Sequence, residues 1–164
     1  WDSTEDADAL YLKNQRQWVG RYLRENLGGN LDIYRNAAFL TLDTDDCYGN
    51  VHPRDAQISE SVLIVCAEIQ RQLAEGQLEL QEDECIAMTK QAFFRIITNC
   101  RNKWKNAWSK EYCEMDEDRL VETILKYMTD WMMVRSKEER ITVLPAVGRL
   151  AGQYPSDYKG DGEQ

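Results

Sequence analysis

Residues 59–75 read SESVLIVCAEIQRQLAE, and this stretch decides the predicted fold. Apolar side chains recur in it at steps of three and four residues, which is the period of an amphipathic α-helix. Val62, Val65 and Ile69 share one face, and further aliphatic residues widen that face beyond a single stripe. A helix with so wide an apolar face is expected near the centre of the protein. Gly76 directly follows the stretch and ends the predicted helix.

Two longer helices are predicted on the C-terminal side of this stretch. The first spans residues 81–112, because its apolar and aromatic side chains keep to one face for several turns. The second begins at Asp116, whose side chain suits the N-cap position, and ends near Arg140. A short turn is expected after Pro145.

On the N-terminal side, residues 3–27 predict a first helix that ends at Gly28. Tyr11, Trp18 and Tyr22 fall at helical spacing within it and form part of one apolar stripe. This helix and the following segment complete the predicted set of about five helices.

The segment after the first helix has two interpretations. Residues 30–40 fit a short second helix capped by Asn30, whereas the run from Ala38 to Leu42 also fits a β-strand. The helix is preferred, because no second strand signal is recognised that could pair with this run. A polar loop over residues 43–57 follows.

Together these patterns predict an all-α protein with a single domain, a bundle of about five helices over residues 1–151. The polar loop follows the second helix, and residues 152–164 form a mobile acidic tail. A length of 164 residues fits one domain with a sizeable core.

Composition narrows the classes of function and location. The formal net charge of −9 disfavours a duplex nucleic acid as partner, because such binding depends on Lys and Arg at the phosphates. No apolar run approaches the roughly 18 residues that a membrane span needs. The chain begins at Trp1, as a chain does after removal of a secretory signal, so secretion is the expected location and the cytoplasm is the alternative.

The acidic loop contains the candidate metal ligands Asp43, Asp45 and Asp46. A calcium loop of the EF-hand type needs oxygen ligands at alternate positions, glycine at the sixth and glutamate at the twelfth. Starting from Asp43, the twelfth residue is Arg54, and starting from Asp45 it is Ala56. Because neither register fits, a solvated turn competes with the metal site.

Five cysteines allow one predicted disulfide. If residues 59–75 and 81–112 pack as a helical hairpin that turns near Leu78, Cys113 lies beside the loop that contains Cys47. A Cys47–Cys113 bridge is therefore predicted for an oxidising compartment. The remaining cysteines are interpreted as small buried apolar residues, namely Cys66, Cys85 and Cys100.

Aromatic and methionine side chains supply the candidate binding residues, which are Trp104, Trp108, Trp131, Met132 and Met133. Such residues suit an adaptable apolar pocket or a partner surface, and the same pattern also fits a buried core. Further apolar side chains outside the main stripes suggest an exposed binding face, namely Ile64, Ile86, Ile97 and Met133.

Recognisable catalytic motifs are absent from the sequence, and its single histidine, His52, has no partner motif. The sequence therefore predicts a non-catalytic helical binding protein that acts through a protein partner, which can be a second copy of the chain, and it requires no cofactor. Two alternatives stay open. One is a carrier of a small apolar ligand within the bundle, and the other is a calcium or metal module built on the acidic loop.

Overall fold

The computed structural model describes residues 7–34, 37–43 and 51–152. The chain divides into two compact units, Trp1–Val51 and His52–Gln164. Both units contain helices together with an antiparallel sheet, so the protein is of the mixed α/β class. The predicted all-α helical bundle is wrong.

The first unit begins with two helices, α1 over Ala7–Asn14 and α2 over Arg16–Leu27. Both lie within the predicted first helix, and backbone hydrogen bonds continue across Gln15 between them. The helix α2 ends at Gly28, which has a φ of 62° and donates its backbone N–H to the carbonyl of Arg24. Glycine adopts this left-handed conformation without the penalty that a side chain would add.

A two-stranded antiparallel hairpin follows, formed by β1 (Gly29–Ile33) and β2 (Ala38–Leu42). The predicted helix over residues 30–40 is therefore wrong, because the segment just after Gly28 supplies the pairing strand that the sequence pattern did not reveal. The strands approach closely at Gly29, where a Cβ atom would lie 2.9 Å from Cδ1 of Leu40.

The described part of the second unit contains four α-helices: α3 over Gln57–Ala74, α4 over Lys90–Lys103, α5 over Lys110–Glu114 and α6 over Glu117–Asp130. The helix α3 coincides closely with the predicted central helix, and its inward residues Val62, Val65 and Ile69 are fully buried. Asp116 caps α6 as predicted, since its side chain accepts a hydrogen bond from the backbone N–H of Asp118 at 3.0 Å.

A three-stranded antiparallel sheet completes the second unit, with β3 over Ile86–Thr89, β4 over Val134–Lys137 and β5 over Arg140–Val143. The strand order is β3-β5-β4, so the last strand in sequence lies at the centre. In chain order the unit runs α3, β3, α4, α5, α6, β4 and β5, so the β4–β5 hairpin follows α6 directly.

Two of the predicted helices are longer than the helices that the structure has in their place. The helix predicted over residues 81–112 is replaced by β3, α4 and α5, because Ile86 and Met88 are buried and alternate with exposed neighbours. The side chain of Thr89 then caps α4 by accepting from the N–H of Ala92 at 3.1 Å. The helix predicted to reach Arg140 stops at Asp130, since the backbone turns through a left-handed residue, Met132 (φ 53°), into β4.

The core of the second unit lies between α3, α4, α6 and the inner face of the sheet. Its largest fully buried side chains are Val62, Val65, Ile69, Phe93, Ile97, Leu120, Ile124, Met128, Met133, Val134, Ile141 and Val143. A short 3-10 helix, Pro145–Arg149, packs beside α3, where the side-chain amide of Gln70 donates to the carbonyl of Val147 at 2.6 Å. None of the helices in residues 7–34, 37–43 and 51–152 is long and apolar enough to cross a membrane.

Candidate functional site

The five candidate aromatic and methionine residues have different surroundings. Trp108 is 4% exposed and Met133 is fully buried, so both belong to the core. Trp104 is partly buried and lines a cleft between α3 and α4, whereas Trp131 contacts the ring of His52 with centroids 5.6 Å apart. Met132 is 57% exposed. The structure therefore gives no shared environment to these five residues.

The apolar residues that suggested an exposed binding face are also buried. Ile64 and Ile86 lie almost wholly inside the second unit, and Ile97 and Met133 are fully buried. All four belong to the hydrophobic core of the second unit, so they do not form an exposed face for a partner. Support for binding must come from other residues.

Of the three candidate metal ligands, only Asp43 lies within the described residues. Asp43 accepts a hydrogen bond from the side-chain amide of Asn30 at 2.7 Å, which suits a turn beside the hairpin. Asp45 and Asp46 lie outside the described residues. Within the described ranges, no group of three His, Cys, Asp or Glu side chains could hold a metal ion.

The predicted disulfide is corrected at Cys113. This residue is a free thiol, and its Sγ donates to the backbone carbonyls of Lys105 at 3.1 Å and Trp108 at 3.5 Å. Cys47 lies outside the described residues. Because β3 separates α3 from α4, the two helices do not form the simple hairpin on which the predicted pairing depended.

The single histidine lies in a cluster that the sequence pattern did not reveal. Its Nδ1 is 3.1 Å from Oγ of Ser59 on α3 and 3.1 Å from the hydroxyl of Tyr127 on α6. Ser59 Oγ also accepts the backbone N–H of Arg54 at 3.0 Å, so its own proton is available to Nδ1. Burial lowers the pKa of His52, which favours the neutral imidazole.

This cluster resembles a serine–histidine pair only in composition. Ser59 is fully buried, so a substrate has no access to its hydroxyl, and His52 Nε2 is buried without a hydrogen-bond partner among the described residues. The contacts instead join the first residue of the second unit to α3 and α6. Ser59 follows His52 by seven residues, but Tyr127 is 75 residues away, and no local pattern could identify it.

The cleft between α3 and α4 has a volume of about 500 Å³ and contains paired charges. The guanidinium of Arg71 donates two hydrogen bonds to Glu68, at 2.9 and 2.6 Å, and also pairs with Glu75. The hydrogen bonds from Arg71 lower the pKa of Glu68 to about 2. Because Glu68 and Arg71 already satisfy each other, their charges offer little to a ligand.

An aromatic face on α2 is the clearest exposed apolar feature of the first unit. Trp18 is 57% exposed and Tyr22 is 53% exposed, and their rings stack with centroids 5.6 Å apart and planes 15° apart. Tyr11 on α1, 54% exposed, follows the same helical spacing. No residue of α2 is buried, although its apolar residues follow a helical stripe. The sequence showed this stripe, but its exposure is visible only in the structure.

Comparison with known proteins gives one family. A protein-family profile described as "Protein of unknown function (DUF2398)" matches residues 1–153 of the chain. A search of curated proteins found no match.

Proposed function

The chain belongs to the DUF2398 family, and we propose that it is a non-catalytic binding protein that recognises a protein partner through the aromatic face of α2. The observation that carries this proposal is the stacked, half-exposed pair Trp18 and Tyr22. Exposed aromatic clusters of this kind are uncommon on surfaces that contact only water, and they mark interaction sites.

The composition of α2 fits a protein interface. Aromatic residues and arginine are the side chains that contribute most to binding energy when a partner buries them. The helix carries Arg16, Arg21 and Arg24 but a single acidic residue, Glu25, in a chain whose net charge is −9. The matching partner surface is therefore apolar at its centre and carries carboxylates at its edge.

The stacking of Trp18 on Tyr22 reduces the cost of binding. Each ring restricts the rotamers of the other, so less conformational entropy is lost when a partner orders them.

The two alternative functions, an apolar-ligand carrier and a metal-binding module, have less support. The carrier hypothesis relied on the interior of a helical bundle, which is not the fold, and two of the three proposed metal ligands lie outside the described residues.

Affinity capture from extracts of the source cells, followed by measurement with the purified partner, tests the proposal. The full chain is compared with the double variant Trp18→Ala/Tyr22→Ala and with Leu80→Ala as a control, since Leu80 is 53% exposed but lies outside the first unit. We expect the double variant to bind the purified partner at least about tenfold more weakly, which corresponds to about 1.4 kcal/mol. The control should bind like the unmodified chain.

Two results would contradict the proposal. One is a purified partner that binds the double variant as tightly as the unmodified chain. The other is preferential binding of single-stranded nucleic acid by the aromatic face, which stacked aromatics beside arginines also permit. Circular dichroism of each variant verifies that the substitutions leave the fold intact.

A further inference from the structure

A second surface of different chemistry lies on the second unit, in a groove between α4, α6 and β5 with a volume of about 520 Å³. Phe93 and Ile141 form its buried floor. Its walls carry the half-buried apolar side chains of Phe94, Val121 and Leu125. A groove of this size and lining accommodates two or three apolar side chains of a peptide segment.

Two carboxylates border one side of this groove. Asp118 and Glu122 are exposed and lie four residues apart on α6, on the same part of the helix surface as Val121 and Leu125. Within the described part of the chain, neither carboxylate forms an ion pair. Lys90 borders the opposite side, where its ammonium lies 3.9 Å from a carboxylate oxygen of Glu139.

We propose that this groove binds a segment of a partner protein that combines apolar side chains with at least one arginine or lysine. The apolar side chains occupy the space between Phe94 and Leu125, and the cation lies against Asp118 and Glu122. Charge complementarity favours such a segment, because an arginine or lysine beside its apolar side chains can form ion pairs with the two carboxylates at the edge of the groove. The proposal shares with the proposed function only the class of partner, since the groove and the α2 face lie on different units.

The same charges argue against a nucleic acid in this position. A helix that enters the major groove of DNA needs lysine and arginine side chains to neutralise the neighbouring phosphates. In this protein α6 carries four acidic residues and two basic ones. Phosphates would be repelled by such a helix, whereas a basic peptide would be attracted.

A peptide selection tests the proposal directly. A library of random dodecapeptides is selected against the full chain, and the enriched peptides are labelled with fluorescein and titrated by anisotropy. We expect peptides with apolar residues at helical or alternating spacing and an adjacent arginine or lysine. Asp118→Asn/Glu122→Gln should weaken their binding by about tenfold or more at low salt. A matched control, Glu79→Gln/Glu82→Gln, removes two exposed carboxylates from the loop before β3 and should have little effect.

Charge reversal provides a second measurement that does not depend on loss of binding. Selection against Glu122→Lys should shift the enriched peptides from basic to acidic residues. The proposal is overturned if the enriched peptides bind Asp118→Asn/Glu122→Gln as tightly as the unmodified chain, or if duplex DNA displaces them from the groove. It is also overturned if Trp18→Ala/Tyr22→Ala, and not the groove variant, abolishes peptide binding. That last result would assign the peptides to α2 and leave the proposed function standing.

Discussion

The Nδ1 atom of His52 lies 3.1 Å from the hydroxyl oxygen of Tyr127, although 75 residues separate the two side chains. Their rings also meet edge to face, with centroids 5.7 Å apart. The other groups around the imidazole are the hydroxyl of Ser59 and the indole of Trp131, and the guanidinium of Arg54 lies 6.0 Å from the centre of the Tyr127 ring. A neutral imidazole suits these surroundings, since they provide no carboxylate among the described contacts.

The pH dependence of stability should reveal this neutral imidazole. Burial lowers the pKa of His52 below its ordinary value of 6.5, so the unfolded chain binds this proton more readily than the folded chain does. Stability should therefore be fully present above pH 6.5 and should fall as the pH decreases through the lowered pKa. Urea unfolding across this pH range measures the effect, and His52→Gln should lack this component.

His52 is the single histidine of the chain, so its imidazole resonances can be assigned without ambiguity by NMR. A titration midpoint at or above 6.5 in the folded chain would contradict the expected direction.

Two tryptophans near the end of α4 should differ in their contribution to stability. Trp108 is 4% exposed, whereas Trp104 is partly buried and lines the cleft. We expect Trp108→Ala to reduce the free energy of unfolding by about 3–5 kcal/mol, the usual range for a large buried aromatic side chain. Trp104→Ala should cost clearly less, because part of its ring already faces water. Equal losses in chemical denaturation would show that the cleft is closed in solution.

The cysteines should differ in reactivity toward a thiol reagent. Burial raises the pKa of Cys66 and of Cys100 to about 12, so these two thiols carry almost no thiolate near neutral pH. Cys113 is partly exposed and should react first in the native chain. The measurement is made with Cys47→Ser, which removes the thiol that the structure does not describe. Rapid modification of Cys66 before unfolding would contradict the buried position of α3.

Acid should weaken the ion pair on α3. The hydrogen bonds from Arg71 lower the pKa of Glu68 to about 2 from 4.5, so the stabilisation is present above pH 4.5 and is lost as the pH falls toward 2. Because Arg71 is 44% exposed, water screens the pair, and we expect it to contribute only a small part of the free energy of unfolding. Glu68→Gln should show a smaller loss of stability below pH 4.5 in denaturant titrations than the unmodified chain does.

Local sequence patterns predicted the elements that local interactions determine. The period of residues 59–75 placed α3, and the capping side chain of Asp116 placed the start of α6, because both signals lie within a few residues of the structure they specify. The strands were not predicted, because the contacts that stabilise them join residues far apart in the sequence. Thr89 falls at helical spacing with Phe93 and Ile96, so the strand residues were read as part of one long helix, and only pairing with β5, more than 50 residues away, selects the extended conformation.

The candidate site, too, could be predicted only where it depends on local sequence pattern, and not where it depends on tertiary packing. Tyr11, Trp18 and Tyr22 were recognisable as a helical stripe, but whether such a stripe packs inside or faces water depends on the rest of the unit. The groove beside α6 was not predicted, since its walls come from α4 and α6 and its floor includes β5. Proximity of this kind is set by tertiary packing and leaves no spacing in the sequence.

The central position of β5 has a consequence for synthesis on the ribosome. Both neighbouring strands bond to residues 140–143, and these are the last of the three strands to be translated. Until they emerge, β3 has no partner and the inner face of the sheet, including Met88, stays uncovered. A nascent chain that stalls before residue 140 should therefore remain sensitive to protease and should bind chaperones. A chain in which residues 140–143 have emerged can complete the sheet, and the second unit can then fold cooperatively.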